Sequence, residues 1–218
     1  MMKRTLLTFL VATLLAGSLA AMNPEELNSI TFYNDSGFDI LYLFFSPGDS
    51  DEWGADILGS TRSLDNGQEI DFYLHYPEQC NTFDFMAIDE DGDTYFVWDY
   101  EICDGKPGSI EISLDHYDPN GTGRFSFAEV TLTNDTPYEM YFVFFSPSDS
   151  EMWGVDMLDA RTILGPDDQL SLAVPVSDST VSYDVLAVDE DTDDYSFRVE
   201  LNSSRQAYTW PIEMSDLQ

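Results

Sequence analysis

The chain repeats itself at a fixed offset of 100 residues, and this repeat constrains the fold more than any other property of the sequence. Ile30-Thr31-Phe32-Tyr33-Asn34-Asp35 returns as Val130-Thr131-Leu132-Thr133-Asn134-Asp135. Phe44-Phe45-Ser46-Pro47, then Asp49-Ser50, Trp53-Gly54, Asp56 and Leu58, returns as Phe144-Phe145-Ser146-Pro147, Asp149-Ser150, Trp153-Gly154, Asp156 and Leu158. Asp89-Glu90-Asp91-Gly92-Asp93 returns as Asp189-Glu190-Asp191-Thr192-Asp193. Without a gap, 21 of the 66 positions from 30 to 95 equal their partners. Such self-similarity means two copies of one folding unit.

Within each copy the apolar period is two. Ile30/Phe32, Ile40/Tyr42/Phe44, Ile70/Phe72/Leu74, Phe83/Phe85/Ala87, Phe96/Trp98/Tyr100 and Ile110/Ile112/Leu114 alternate along short segments, separated by Gly, Pro, Asn and Asp clusters. That spacing predicts strands of an antiparallel sandwich or barrel. The expected fold is all-β: two tandem antiparallel β-sandwich-like modules of about 90 residues each, large enough for a core of their own. They occupy 21–117 and 129–218, joined by a short linker at 118–128 rich in turn formers.

Residues 1–20 read as a secretory signal peptide: Lys3-Arg4, an apolar run from Leu6 to Ala16, and Ser18-Leu19-Ala20 before the cut. The expected location is therefore periplasmic or secreted, with no membrane insertion after signal cleavage. The formal charge is −34, from 42 acidic and 8 basic side chains, and Asp outnumbers Glu two to one. Nucleic acid is excluded as a partner, because its phosphates need Lys and Arg. A basic protein or a carbohydrate is not.

One hairpin register follows from its turn. If Asp91-Gly92 forms a two-residue primed turn, Phe83 faces Tyr100, Phe85 faces Trp98 and Ala87 faces Phe96. Cys80 then faces Cys103, and in an oxidising compartment the pair forms a disulfide. Copy two offers Thr180 and Ser203 at those places, with a turn expected to be one residue longer.

Three sets of residues are candidates for binding. The acidic turns, Asp89, Asp91 and Asp93 with Asp189, Asp191 and Asp193, present hard oxygen ligands at the density Ca²⁺ prefers; the alternative is a solvated turn. Asp118, Asn120, Thr122 and Glu129 fall at EF-hand-like ligand spacing, with Gly123 at the turn, but between strand-like flanks. Asp49, Trp53 and Asp56, with Asp149, Trp153 and Asp156, combine an aromatic face with acids. Such a loop either stacks on a sugar ring or folds its Trp back to cap the core. No catalytic motif is present, and the two histidines, His75 and His116, have Pro175 and Asp216 as partners.

Taken together, Asn34-Asp35-Ser36-Gly37, Ser46-Pro47 to Leu58, and Cys80 through Asp89-Glu90-Asp91-Gly92-Asp93 to Cys103 resemble the unit of a family of small secreted bacterial β-proteins of uncharacterised function. The resemblance implies the module boundaries and the disulfide, and no activity. The functional expectation is a secreted or periplasmic, non-enzymatic binding or structural protein with acidic loops, calcium being the one cofactor considered. The alternatives are an acidic structural envelope protein without a specific ligand and a carboxylate-based hydrolase.

Overall fold

The computed structural model describes residues 27–75, 80–103, 105–121 and 125–218. The expected signal peptide and its cleavage point lie outside the described residues. Copy one contains β1 (Asn28–Asp35), β2 (Ile40–Pro47), β3 (Glu69–His75), β4 (Cys80–Asp89), β5 (Thr94–Cys103), β6 (Gly108–Ser113) and the short β7 (Tyr117–Asp118). Copy two contains β8 (Ser126–Asn134), β9 (Met140–Pro147), the short β10 (Gly154–Val155), β11 (Gln169–Val176), β12 (Val181–Asp189), β13 (Asp194–Leu201) and β14 (Ala207–Ile212). In copy one, β3-β1-β6 faces β2-β4-β5-β7; in copy two, β11-β8-β14 faces β13-β12-β9. The architecture is all-β, with several antiparallel sheets. One pairing per copy is parallel, β1 with β6 and β8 with β14, because β6 and β14 rejoin the first strand's sheet after a hairpin in the opposite one.

The β4–β5 hairpin departs from the expected register over its outer half. The Asp89 N–H donates to the Asp93 carbonyl (3.0 Å), closing a three-residue loop with Gly92 at φ 81°. A three-residue loop closes through a left-handed residue, the place glycine fills without strain. Pairing is thereby displaced by one: Ala87 faces Tyr95 and Phe85 faces Val97. An extra residue, Asp99 at φ 54°, then restores the phase, so that Phe83 faces Tyr100 and Cys80 faces Cys103 as expected. The Asp84 carboxylate fixes this bulge by accepting the Asp99 N–H at 2.7 Å. The Cys80–Cys103 disulfide is formed.

Copy two has the same loop length, not a longer one. Asp189 N–H reaches the Asp193 carbonyl at 3.1 Å, and Thr192 takes the left-handed position at φ 66°. That conformation costs a side chain with a Cβ about 1–2 kcal/mol. The difference between the copies is the bulge, which β13 lacks: Asp184 faces Arg198, and pairing runs unbroken to Val181 opposite Leu201. The position equivalent to Cys103 is consequently Asn202, not Ser203, and its amide donates to the Thr180 hydroxyl at 3.0 Å. A hydrogen bond stands where copy one has a disulfide.

The copies interlock. β10 of copy two extends the copy-one sheet at the edge of β3, pairing Gly154 with His75 and Val155 with Leu74. The Asp156 N–H donates to the Tyr73 carbonyl at 2.9 Å, and the Asp56 N–H donates to the Ala173 carbonyl at 2.8 Å. Residues 73 and 173 are equivalent positions, so each copy gives the other the same hydrogen bond, the signature of a two-fold relation. Gly154 lies flat on Phe45 at φ 70°, where a Cβ would come within 2.2 Å of the ring. One buried cluster runs through both copies, joining Phe32, Phe45 and Phe72 to Leu132, Phe145 and Val155.

The outer faces are exchanged as well. Phe44, Met86 and Ile88 point away from the shared core and are covered by Tyr42, Trp53 and Phe96, by Phe125 just ahead of β8, and by Phe127 within it. Phe144, Leu186 and Val188 are covered by Phe142 and Trp153, and by Leu27 from copy one. Leu27 and Phe127 again occupy equivalent positions.

Candidate functional site

The displaced register decides where the aromatic side chains of β5 go. With Tyr95 and Val97 facing inward, strand alternation turns Phe96 and Trp98 outward. The expected register set Phe96 and Trp98 opposite the inward-facing Ala87 and Phe85; instead Trp98 is 57% exposed. Phe96 and Trp98 stack with ring centroids 4.9 Å apart and planes 8° from parallel. Trp53 leans over both, 6.1 Å from Phe96 and 5.9 Å from Trp98. Trp53 thus folds back over the apolar outer face and, on the same side, joins an open aromatic tier. The tier lines a cleft of about 600 Å³ together with Asp115, His116 and Asp118.

The acidic turns have an internal structural role. Asp89 is buried, and its Oδ1 accepts the N–H groups of Asp91 (3.0 Å) and Asp93 (2.9 Å) while its Oδ2 accepts the Tyr95 hydroxyl (2.9 Å). Asp189 repeats this with Asp191, Asp193 and Tyr195 at 2.9, 2.9 and 3.0 Å. Burial, reinforced by the hydrogen bond to the neighbouring carboxylate, raises both tyrosine hydroxyls well above their ordinary pKa. The first Asp of each turn therefore organises the loop, while Asp91 sits nearer solvent. Among the described residues, the carboxylates of neither turn converge with two others closely enough to share a metal ion; the one such grouping, Cys80, Glu101 and Cys103, contains the disulfide. A cation at a turn would show as a rise in melting temperature with CaCl₂ above that with NaCl at matched ionic strength, removed by Asp91→Asn. Replacing Asp89 with Ala leaves three donors without their acceptor, and we expect a loss of about 2–4 kcal/mol by urea unfolding, against under about 0.5 for Asp91→Asn.

The EF-hand-like residues are spread over different elements. Asp118 ends β7, and its Oδ1 accepts the Asn120 N–H at 2.9 Å, a local turn. Glu129 lies within β8 between Ala173 and Ala207, on a strand rather than at the head of a helix. Thr122 and Gly123 lie outside the described residues.

The repeated loop acids hold the copies together. Ser50 donates to Asp149 at 2.7 Å and Ser150 donates to Asp49 at 2.6 Å, a reciprocal pair across the interface. Asp56 and Asp156 are buried, each Oδ1 accepting two backbone N–H groups: Leu43 and Leu58 for Asp56, Val143 and Leu158 for Asp156. The Oδ2 of each is buried without a hydrogen-bond partner. Burial pushes Asp56 up to about 7 and raises Asp156 well above the carboxylate range. Arg62 opposes both shifts from the interface, where it donates to the carbonyls of Ile57 (2.9 Å) and Met157 (3.3 Å) and pairs with Asp159 at 2.5 Å. Ile57 and Met157 are equivalent, so one guanidinium serves both copies.

No protein-family model and no curated protein matches the chain. Among solved structures, a candidate adhesin from Bacteroides ovatus is similar at 8% identity and a TM-score of 0.27, over 87% of this chain and 91% of that one. A family 26 carbohydrate-binding module from Eubacterium rectale, solved with maltoheptaose, is similar at 8% identity and a TM-score of 0.23, over 85% of this chain and 90% of that one. Likeness this distant carries no functional argument, and the reading below rests on the site itself.

Proposed function

We propose that the protein is a secreted, non-enzymatic glycan-binding protein whose binding surface includes the Trp53–Phe96–Trp98 tier of copy one. The observation that carries this reading is Trp98, a large apolar ring left open to solvent and stacked on Phe96. One face of a pyranose ring is a plane of C–H groups, which stacks on such an indole. Asp115 and Asp118 in the same cleft accept hydrogen bonds from the sugar hydroxyls. A formal charge of −34 repels anionic polymers, so the ligand is a neutral glycan. The disulfide suits an oxidising compartment, where such ligands are found.

The test is a panel of neutral polysaccharides followed by tryptophan fluorescence and calorimetry. Trp98→Ala should weaken binding at least tenfold, a loss of about 1.4 kcal/mol or more. Unfolding free energy should change by under about 1 kcal/mol, because the ring is exposed and loses mainly its stack on Phe96. Unchanged affinity in that variant sinks the reading.

A further inference from the structure

The outer face that carries the aromatic tier in copy one has a different chemistry in copy two. Ser196 and Arg198 stand where copy one has Phe96 and Trp98. Arg198 is held flat by a two-pronged pair with Asp184, Nε to Oδ1 at 2.6 Å and Nη2 to Oδ2 at 2.9 Å. Asp184 is free for this because β13 has no bulge; its counterpart Asp84 is occupied by the Asp99 N–H. Beside the pair is Trp153, packed on Phe144 and Leu186. Together with Ser148, Glu151 and Ser196 they line a cleft of about 620 Å³. Copy one helps to shape its wall: Asp49 accepts both the Ser150 hydroxyl (2.6 Å) and the Glu151 N–H (3.3 Å).

We infer that copy two carries a second carbohydrate site, a polar cleft built from Trp153 and the Asp184–Arg198 pair. The inference takes its ligand class from the proposed glycan-binding reading; the position and the chemistry of the cleft are its own. Trp153 supplies an aromatic wall. The ion pair supplies an acceptor and a donor side by side, the complement of two neighbouring sugar hydroxyls, each of which both donates and accepts. Arg198 is balanced by Asp184, and Glu151 leaves the cleft with a net negative charge, so it takes a neutral sugar and not an acidic one. The two copies thus present unlike subsites, one reading the apolar face of a ring and the other its hydroxyls.

Calorimetric titration of the full chain with cellohexaose, maltohexaose, mannohexaose and xylohexaose tests this. At least one should bind at two sites. Trp98→Ala should remove one site and leave the other; Arg198→Gln and Asp184→Asn should each weaken the second at least tenfold and leave the first. A single site abolished by Trp98→Ala and indifferent to Arg198→Gln overturns the inference while the reading of copy one stands. A single site abolished by Arg198→Gln and indifferent to Trp98→Ala does the reverse. Binding of none of the four sugars by the intact chain overturns the second site together with the first.

Discussion

Expressed as separate chains, residues 21–121 and 122–218 are each expected to fail as folded monomers. Copy one alone would expose the β3 edge that pairs with Gly154 and Val155, and copy two alone would expose the β11 backbone that receives Asp56. Each would also uncover the outer cluster that the other's Leu27 or Phe127 protects. Uncovering a large apolar side chain costs about 1.5–3 kcal/mol, and several together match the 5–15 kcal/mol that a whole domain has to spare. Circular dichroism and light scattering on the separate halves should show non-cooperative melting or concentration-dependent dimers. Mixing them in equal amounts should restore a cooperative transition, and the intact chain should melt in one step. Halves that melt cooperatively as monomers would contradict the interlocked core.

Lowering the pH from 7.5 to 5 is expected to raise the melting temperature. Asp56 has a folded pKa of about 7 against an ordinary 3.8, and Asp156 is raised in the same direction, burial being the main cause for both. A carboxyl that holds its proton more tightly when folded is best tolerated below its unfolded pKa. Its stabilising effect is lost as pH rises through the folded value, at about 1.4 kcal/mol per pH unit and per group. Asp159 has the opposite sign: burial raises it, but the Arg161 N–H, the Thr162 hydroxyl and Arg62 together hold it below its ordinary value. Its contribution is lost only below about pH 4, outside this window. The two buried acids should together give about 2 kcal/mol or more between pH 7 and 5, and a rise of several degrees for a chain of this size. The general repulsion among 42 acidic side chains acts in the same direction. The Asp56→Asn/Asp156→Asn double variant separates the two effects, since it should flatten most of the slope between pH 5 and 7. A slope that survives in the double variant would assign it to surface charge.

Strand alternation and the repeat made the all-β character legible, because both are local properties of sequence. The cysteine pair was legible too, because two errors cancelled: the loop is one residue longer than a two-residue turn, and Asp99 adds one residue back. Between those shifts the phase was misread, and with it the outward aromatics. A signal for them existed. Tyr95 and Tyr195 match at the repeat offset, so Phe96 corresponds to Ser196, a residue with little reason to sit in a core. The reciprocal hydrogen bonds were not legible, since nothing local distinguishes a loop that binds a ligand from one that binds its own duplicate. Ser46-Pro47 through Asp56 recurs in both copies for the second reason: Asp49, Asp149, Asp56 and Asp156 build the contact between them.

The geometry shared by the copies is that of a homodimer, drawn into one chain by the segment between β7 and β8. A tether of that kind replaces a partner's concentration with an effective one of about millimolar, so assembly no longer depends on expression level. It also relaxes a constraint that identical subunits cannot escape, in which every substitution appears twice. Here Arg62 sits opposite two equivalent carbonyls and has only Thr162 as its counterpart, Asp99 is inserted once, and one disulfide is matched by one amide–hydroxyl bond. Within one chain, each half can therefore carry its own surface on a common, mutually supplied interior.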